Sequence, residues 1–151
     1  MSESLLRIEA AMERLARMAQ SRKAAAKRSA RAGLSLSGSA QQVLRTVIER
    51  APVRISDLAR AARMGDAAVS RQVTLLENDG LVSRTPCAED GRVARVRASA
   101  AGQRAGQRLR AAADEMFGDQ LSAWSAKDLK LLAELMERLG DDLGKGSPPP
   151  A

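Results

Sequence analysis

The sequence predicts a mainly α-helical fold that carries one small β-hairpin, an α+β arrangement overall. Three observations predict it. Apolar residues step by three and four over most of the chain. The core they offer is aliphatic and helix-friendly, because Ala, Leu, Val and Met dominate and the 151 residues include one Phe (Phe117), one Trp (Trp124) and no Tyr. After Gly80 the period becomes alternating, and a polar tip, Glu89-Asp90-Gly91-Arg92, interrupts it.

In chain order, Leu5, Ile8, Met12, Leu15 and Ala19 form one stripe of an amphipathic helix. The helix is expected to run on through Arg22, Lys23, Lys27, Arg28 and Arg31, with no acid among them, and to end at Gly33. That basic run is either a solvated face or a phosphate-contacting one. Ser37 is the N-cap expected for a second helix through Val43, Leu44, Val47 and Ile48, which stops before Pro52. Ser56 or Ile55 opens a short helix with Leu58 and Ala62 inward, Met64 and Gly65 make a turn, and Asp66 to Asp79 form another helix that Gly80 stops. In that helix Val69, Val73 and Leu76 share a face, leaving Ala67, Ala68, Ser70, Arg71 and Thr74 nearer the opposite one. Two short helices joined by a tight turn make a helix-turn-helix.

The hairpin follows, with Leu81, Val82 and Arg84 in one arm and Val93, Arg95, Val96 and Arg97 in the other. Ser99 caps a long helix through Ala105, Leu109, Ala112, Met116 and Leu121, whose first turns Gly102 and Gly106 weaken. Ser125 caps a last helix with Leu129, Leu132, Met136, Leu139 and Leu143 at helical spacing. From Gly140 the glycines and three prolines suggest a disordered end. The central module is too small to bury the stripes at both ends of the chain as well as the long helix, so the terminal helices are expected to pair with those of a second copy. The resulting division is 1–35 as an N-terminal dimerisation helix with a basic end, 36–98 as the helix-turn-helix with its hairpin, 99–142 as C-terminal dimerisation helices, and 143–151 as a tail.

Composition narrows the chemistry. There is no His, and a lone Cys87 has no internal partner, so zinc sites and His-dependent catalytic triads are excluded and no cofactor is expected. No nucleophile, base and orienting group cluster in a way that suggests an enzyme. No run approaches the roughly twenty apolar residues of a membrane span, and the N-terminus reads as a charged helix rather than a signal peptide, which predicts a cytoplasmic chain with no membrane partner. Positive charge concentrates early: residues 1–32 carry eight basic and three acidic side chains, residues 33–98 ten and seven, and residues 99–151 seven and eight. A basic face of this kind attracts a phosphate backbone.

A helix-turn-helix followed at once by a hairpin is a winged helix, a fold whose second helix enters the major groove of duplex DNA while an arginine on the wing reaches the minor groove. Residues 34 to 142, through Leu58-Ala59, Val69-Ser70-Arg71, Leu76-Glu77, Gly80-Leu81-Val82, Arg84, Asp90-Gly91-Arg92, Ser99 and Gly102, resemble the multiple-antibiotic-resistance regulator (MarR) family. The resemblance implies a homodimer that joins through Leu5, Ile8, Met12, Leu15, Leu129, Leu132, Met136 and Leu139 and binds a pseudo-palindromic operator, most often as a repressor. It makes Asp66 to Asp79 the recognition helix, with Ala67, Ser70, Arg71 and Thr74 toward DNA. It makes Arg92 the minor-groove arginine, oriented by Asp90, unless the two only shape the turn, and Arg84 and Arg95 contacts to phosphate. It also implies a small-molecule effector, commonly an anionic aromatic, and offers oxidant sensing at Cys87 as a second form of control. The departures from the family pattern are Gly65-Asp66 where a serine cap is frequent, Ala40 where a glutamine is common, and Ala98-Ser99 in place of Leu-Thr. The competing reading is an architectural or protein-interaction module without sequence-specific DNA readout.

Overall fold

A computed structural model describes residues 2–86 and 93–145. The chain forms two compact units, residues 1–115 and residues 116–151.

In the first unit the long N-terminal helix expected from the sequence is two helices, α1 (Glu3–Ala19) and α2 (Arg22–Arg31). Ser21 causes the break. Its backbone is extended and its hydroxyl accepts from the Ala24 N–H at 3.3 Å, so a new helix is capped inside what reads as one run. α3 (Gly38–Arg50) begins at Ser37, whose hydroxyl accepts from the Ala40 N–H at 3.1 Å. Polar groups fasten α2 to α3. The Gln41 amide donates to the Ala25 and Leu36 carbonyls, each at 2.9 Å, and the Ser29 hydroxyl accepts from the Leu36 N–H at 2.8 Å.

β1 (Val53–Arg54) leads into α4 (Ile55–Ala62), and α5 (Asp66–Asn78) follows. The turn between α4 and α5 differs from expectation. Its left-handed residue is Arg63, at φ 53°, while Gly65 is the extended N-cap of α5. The Met64 N–H donates to the Ala59 carbonyl at 3.0 Å and the Arg63 N–H to Arg60 at 3.2 Å, satisfying the end of α4. A left-handed non-glycine costs about 1 kcal/mol, which these two bonds help to offset. Gly80 ends α5 as expected, at φ 73°, with the Leu81 N–H donating to Leu76 at 2.9 Å.

The hairpin, β2 (Val82–Pro86) and β3 (Ala94–Ala98), gains a third strand. The antiparallel order is β1-β3-β2, with Val53 and Arg84 flanking Val96, and Arg54 and Thr85 flanking Arg95. Two residues are too few for a detectable period, and only pairing to β3 reveals β1 as a strand. Val43, Leu44, Val47, Leu58, Val69, Val73, Leu76 and Val96 are fully buried, so α3, α4, α5 and the inner sheet face share one core.

α6 (Ala100–Gln120) starts in this unit and adds Ala105, Leu109 and Ala112 to the core. The glycines that weaken its first turns have a packing purpose. A Cβ at Gly102 would overlap the Leu81 carbonyl oxygen, and one at Gly106 would meet the Ile48 side chain. Ser99 completes the junction, its hydroxyl donating to the Gly80 carbonyl at 2.6 Å and accepting from the Gly102 N–H at 3.0 Å.

The second unit contains the end of α6 and α7 (Ala126–Gly144), capped by Ser125, which accepts from the Asp128 N–H at 3.1 Å. α7 continues past Gly140, where the sequence suggests disorder. Asp142 lies 3.9 Å from Arg138 and 3.3 Å from Lys145, helical-spacing pairs that support the last turns.

Candidate nucleic-acid interface

α5 buries Val69, Val73 and Leu76 and turns its other side to solvent. Ala67, Arg71 and Thr74 are exposed there and Ser70 is half-buried. Arg71 has no ion-pair or hydrogen-bond partner among the described residues and projects from the second turn. Asp66 lies in the first turn, where a carboxylate complements the helix dipole. Leu75 also stands out, 55% exposed. Sequence reasoning missed it because an apolar residue beside a core position reads as core, although its i+4 spacing from Arg71 gives the outward face.

Alternation separates the two strand arginines. Arg84 shares its sheet face with the buried Val82 and Val96, whereas Arg95 shares the outer face with Arg54 and Thr85. Arg84 therefore turns toward α5. Its Nη2 donates to the Thr74 Oγ1 at 2.8 Å and to the Ser70 carbonyl at 3.4 Å. Its backbone N–H donates to Glu77 Oε2 at 3.3 Å, and its Nε lies 3.9 Å from Glu77 Oε1. The Thr74 hydroxyl in turn donates to the Ser70 carbonyl at 3.0 Å.

The structure thus brings Ser70, Thr74 and Arg84 together, leaves Ala67 and Arg71 open on the same helix, and puts Arg95 on the other side of the sheet. Asp90 and Arg92, with Cys87, lie outside the described residues. The dimerisation candidates divide between α1 and α7, neither of which has a buried residue. Leu5, Ile8, Met12 and Leu15 are 41–54% exposed and Met136 is 49% exposed, while Leu129, Leu132 and Leu139 are half-buried. Among the described residues no cluster of acidic and cysteine side chains suits a metal, and no helix is long and apolar enough to cross a membrane.

The MarR family profile matches residues 33–93, the segment from the end of α2 to the start of β3. A probable transcriptional regulator from Pseudomonas aeruginosa, known from its crystal structure, is 30% identical, with 83% of this chain and 93% of that one covered at a TM-score of 0.63. The chain belongs to the MarR family. This MarR-family chain is similar to other proteins as well. The uncharacterised HTH-type transcriptional regulator YxaD of Bacillus subtilis is 29% identical over 108 residues, 70% of this chain and 73% of YxaD. A MarR family protein from Bacillus stearothermophilus has the same fold, with a TM-score of 0.79 at 14% identity over 95% of this chain and 99% of that one. MarR proteins are winged-helix transcription regulators and not enzymes, and in this fold α5 is the second helix of the helix-turn-helix and β2 and β3 are the strands of the wing.

Proposed function

We propose that this MarR-family protein is a homodimeric repressor that binds a pseudo-palindromic operator in duplex DNA, within the bacterial cytoplasm. The observation that carries the reading is the outward face of α5, where Arg71 stands exposed between Ala67 and Leu75 with no partner among the described residues. A helix face with an exposed arginine and small or apolar neighbours suits the major groove, where guanidinium forks pair with guanine and apolar groups meet thymine methyls. On this reading Ala67, Ser70, Arg71 and Thr74 face the bases, Arg84 supports Thr74 and meets phosphate at its rim, and Arg92 on the wing enters the minor groove with Asp90 beside it.

The dimer part rests on α1 and α7. Helices with no buried residue of their own that show half-exposed leucines, isoleucine and methionines need a cover, and a second copy supplies one by two-fold symmetry. On the same reading a small-molecule effector, an anionic aromatic, releases the operator. Selection of random duplex DNA on the purified protein tests the whole reading. A two-fold symmetric motif with half-sites about one helical turn apart is the expected result. A steep salt dependence without an enriched motif would instead make the protein an architectural DNA coat.

A further inference from the structure

The sheet face turned away from α5 holds a second basic cluster. Arg54 on β1 and Arg95 on β3 are direct cross-strand partners. Like charges directly opposite in an antiparallel pair are destabilising, and neither arginine has a carboxylate partner among the described residues. Both are half-buried. With Arg50 at the end of α3 and Arg60 on α4 they line an open cleft of about 550 Å³. Among the described residues Asp57 is the only carboxylate in that lining, and it lies 3.4 Å from Arg60. Among the described residues Arg50, Arg54 and Arg95 of this concave site have no carboxylate partner. α4 also begins here with no side-chain cap on its first N–H groups.

We propose that this cleft binds a phosphate group, held between Arg54 and Arg95 with Arg50 at the rim. The planar guanidinium fork matches two phosphate oxygens, and an oxyanion between the paired arginines replaces their repulsion with two charge-assisted contacts. The cleft is within the roughly 300–1,000 Å³ of small-ligand sites, so it has room for the rest of a phosphorylated molecule. It also lies open enough to seat a backbone phosphate of DNA. The chemistry is the same from either source.

The test is calorimetric titration of the full-length protein with inorganic pyrophosphate in low-salt buffer, set beside DNA titrations over a series of salt concentrations. One equivalent is expected to bind each chain saturably, at least tenfold more weakly in Arg54→Gln/Arg95→Gln, with part of the affinity kept in Arg54→Lys/Arg95→Lys and all of it in Arg71→Ala. Without pyrophosphate the Gln variant should melt no lower than the parent, since it loses a like-charge pair; if it fails to fold, Arg95→Gln alone is read the same way. Lost pyrophosphate binding with an unchanged DNA salt slope assigns the site to a small phosphorylated molecule. A slope smaller by about two in the Gln variant assigns it to the DNA backbone. Pyrophosphate binding that is absent or equal in parent and Gln variant, together with an unchanged salt slope, overturns the proposal. The pyrophosphate arm remains readable if the protein selects no operator.

Discussion

Arg84 on β2 donates a hydrogen bond to the Thr74 hydroxyl on α5 at 2.8 Å, so the strand that leads into the wing is fastened to the outward side of the second helix of the helix-turn-helix. The same guanidinium reaches the Ser70 carbonyl, and Glu77 holds its base. On the proposed reading α5 and the wing must keep their spacing to reach adjacent grooves together, and this contact ties β2 to α5.

Thr74→Val removes the acceptor while keeping the side-chain shape. It leaves a two-thirds-covered guanidinium with a weaker set of partners, and the expected loss is about 1–2 kcal/mol of unfolding free energy, read by chemical denaturation. Exposure of the Arg84–Glu77 pair keeps the figure at the low end, since partly solvated ion pairs add little. Operator affinity should fall with it. A variant as stable as the parent would mean that the contact does not hold the two elements together.

Gly102→Ala adds a methyl group where the Leu81 carbonyl already stands, and backbone cannot move aside as a flexible side chain does. A loss of about 1–3 kcal/mol is expected from overpacking. Gly118→Ala is the control in the same helix. A Cβ there meets nothing, so the helix gains about 0.5–1 kcal/mol. Opposite signs in two thermal melts check the packing of α6 on the α5–β2 junction; equal effects would refute it.

These contrasts show what periodicity reveals and what it hides. The core of α3 and α5 was legible because Val43, Val47, Val69, Val73 and Leu76 repeat at helical spacing and tertiary packing agrees with that pattern. The break at Ser21 was not, since a capping serine in an Ala- and Arg-rich run competes with continued helix by one local hydrogen bond. Gly102 reads as a helix-weakening residue until the neighbour that needs its missing side chain is known. In the candidate interface, parity with the apolar Val82 would have turned Arg84 inward in the sequence itself, whereas the meeting of Arg54 and Arg95 depends on a two-residue strand that no pattern announces.

Leu15→Glu places a charge on the stripe of α1, where Leu15 is 53% exposed in the single chain. If a second copy covers that stripe, burial of an unpaired carboxylate opposes association. Sedimentation at micromolar concentration should then give a monomer for the variant and a dimer for the parent, and the parent's melting temperature should rise with concentration while the variant's stays constant. Identical masses would remove α1 from the interface.

Arg71 and Arg92 separate two kinds of DNA contact. A guanidinium paired to a base edge discriminates by about 1–3 kcal/mol at one position, whereas one on phosphate weakens every sequence alike and lowers the salt slope by about one. Arg71→Ala is expected to follow the first pattern, because its side chain is exposed on the outward face of α5 with no partner among the described residues. Titrations of the selected operator, and of operators altered one base pair at a time, should show relaxed preference at one symmetric pair of positions with little change in salt slope. Arg92→Ala should weaken operator binding strongly while leaving the dimer intact, with the greatest loss on sites whose flanks have the narrow minor groove of A-tracts. Equal weakening on all sequences by Arg71→Ala would move that arginine to the backbone and leave base readout to the remaining residues of the helix.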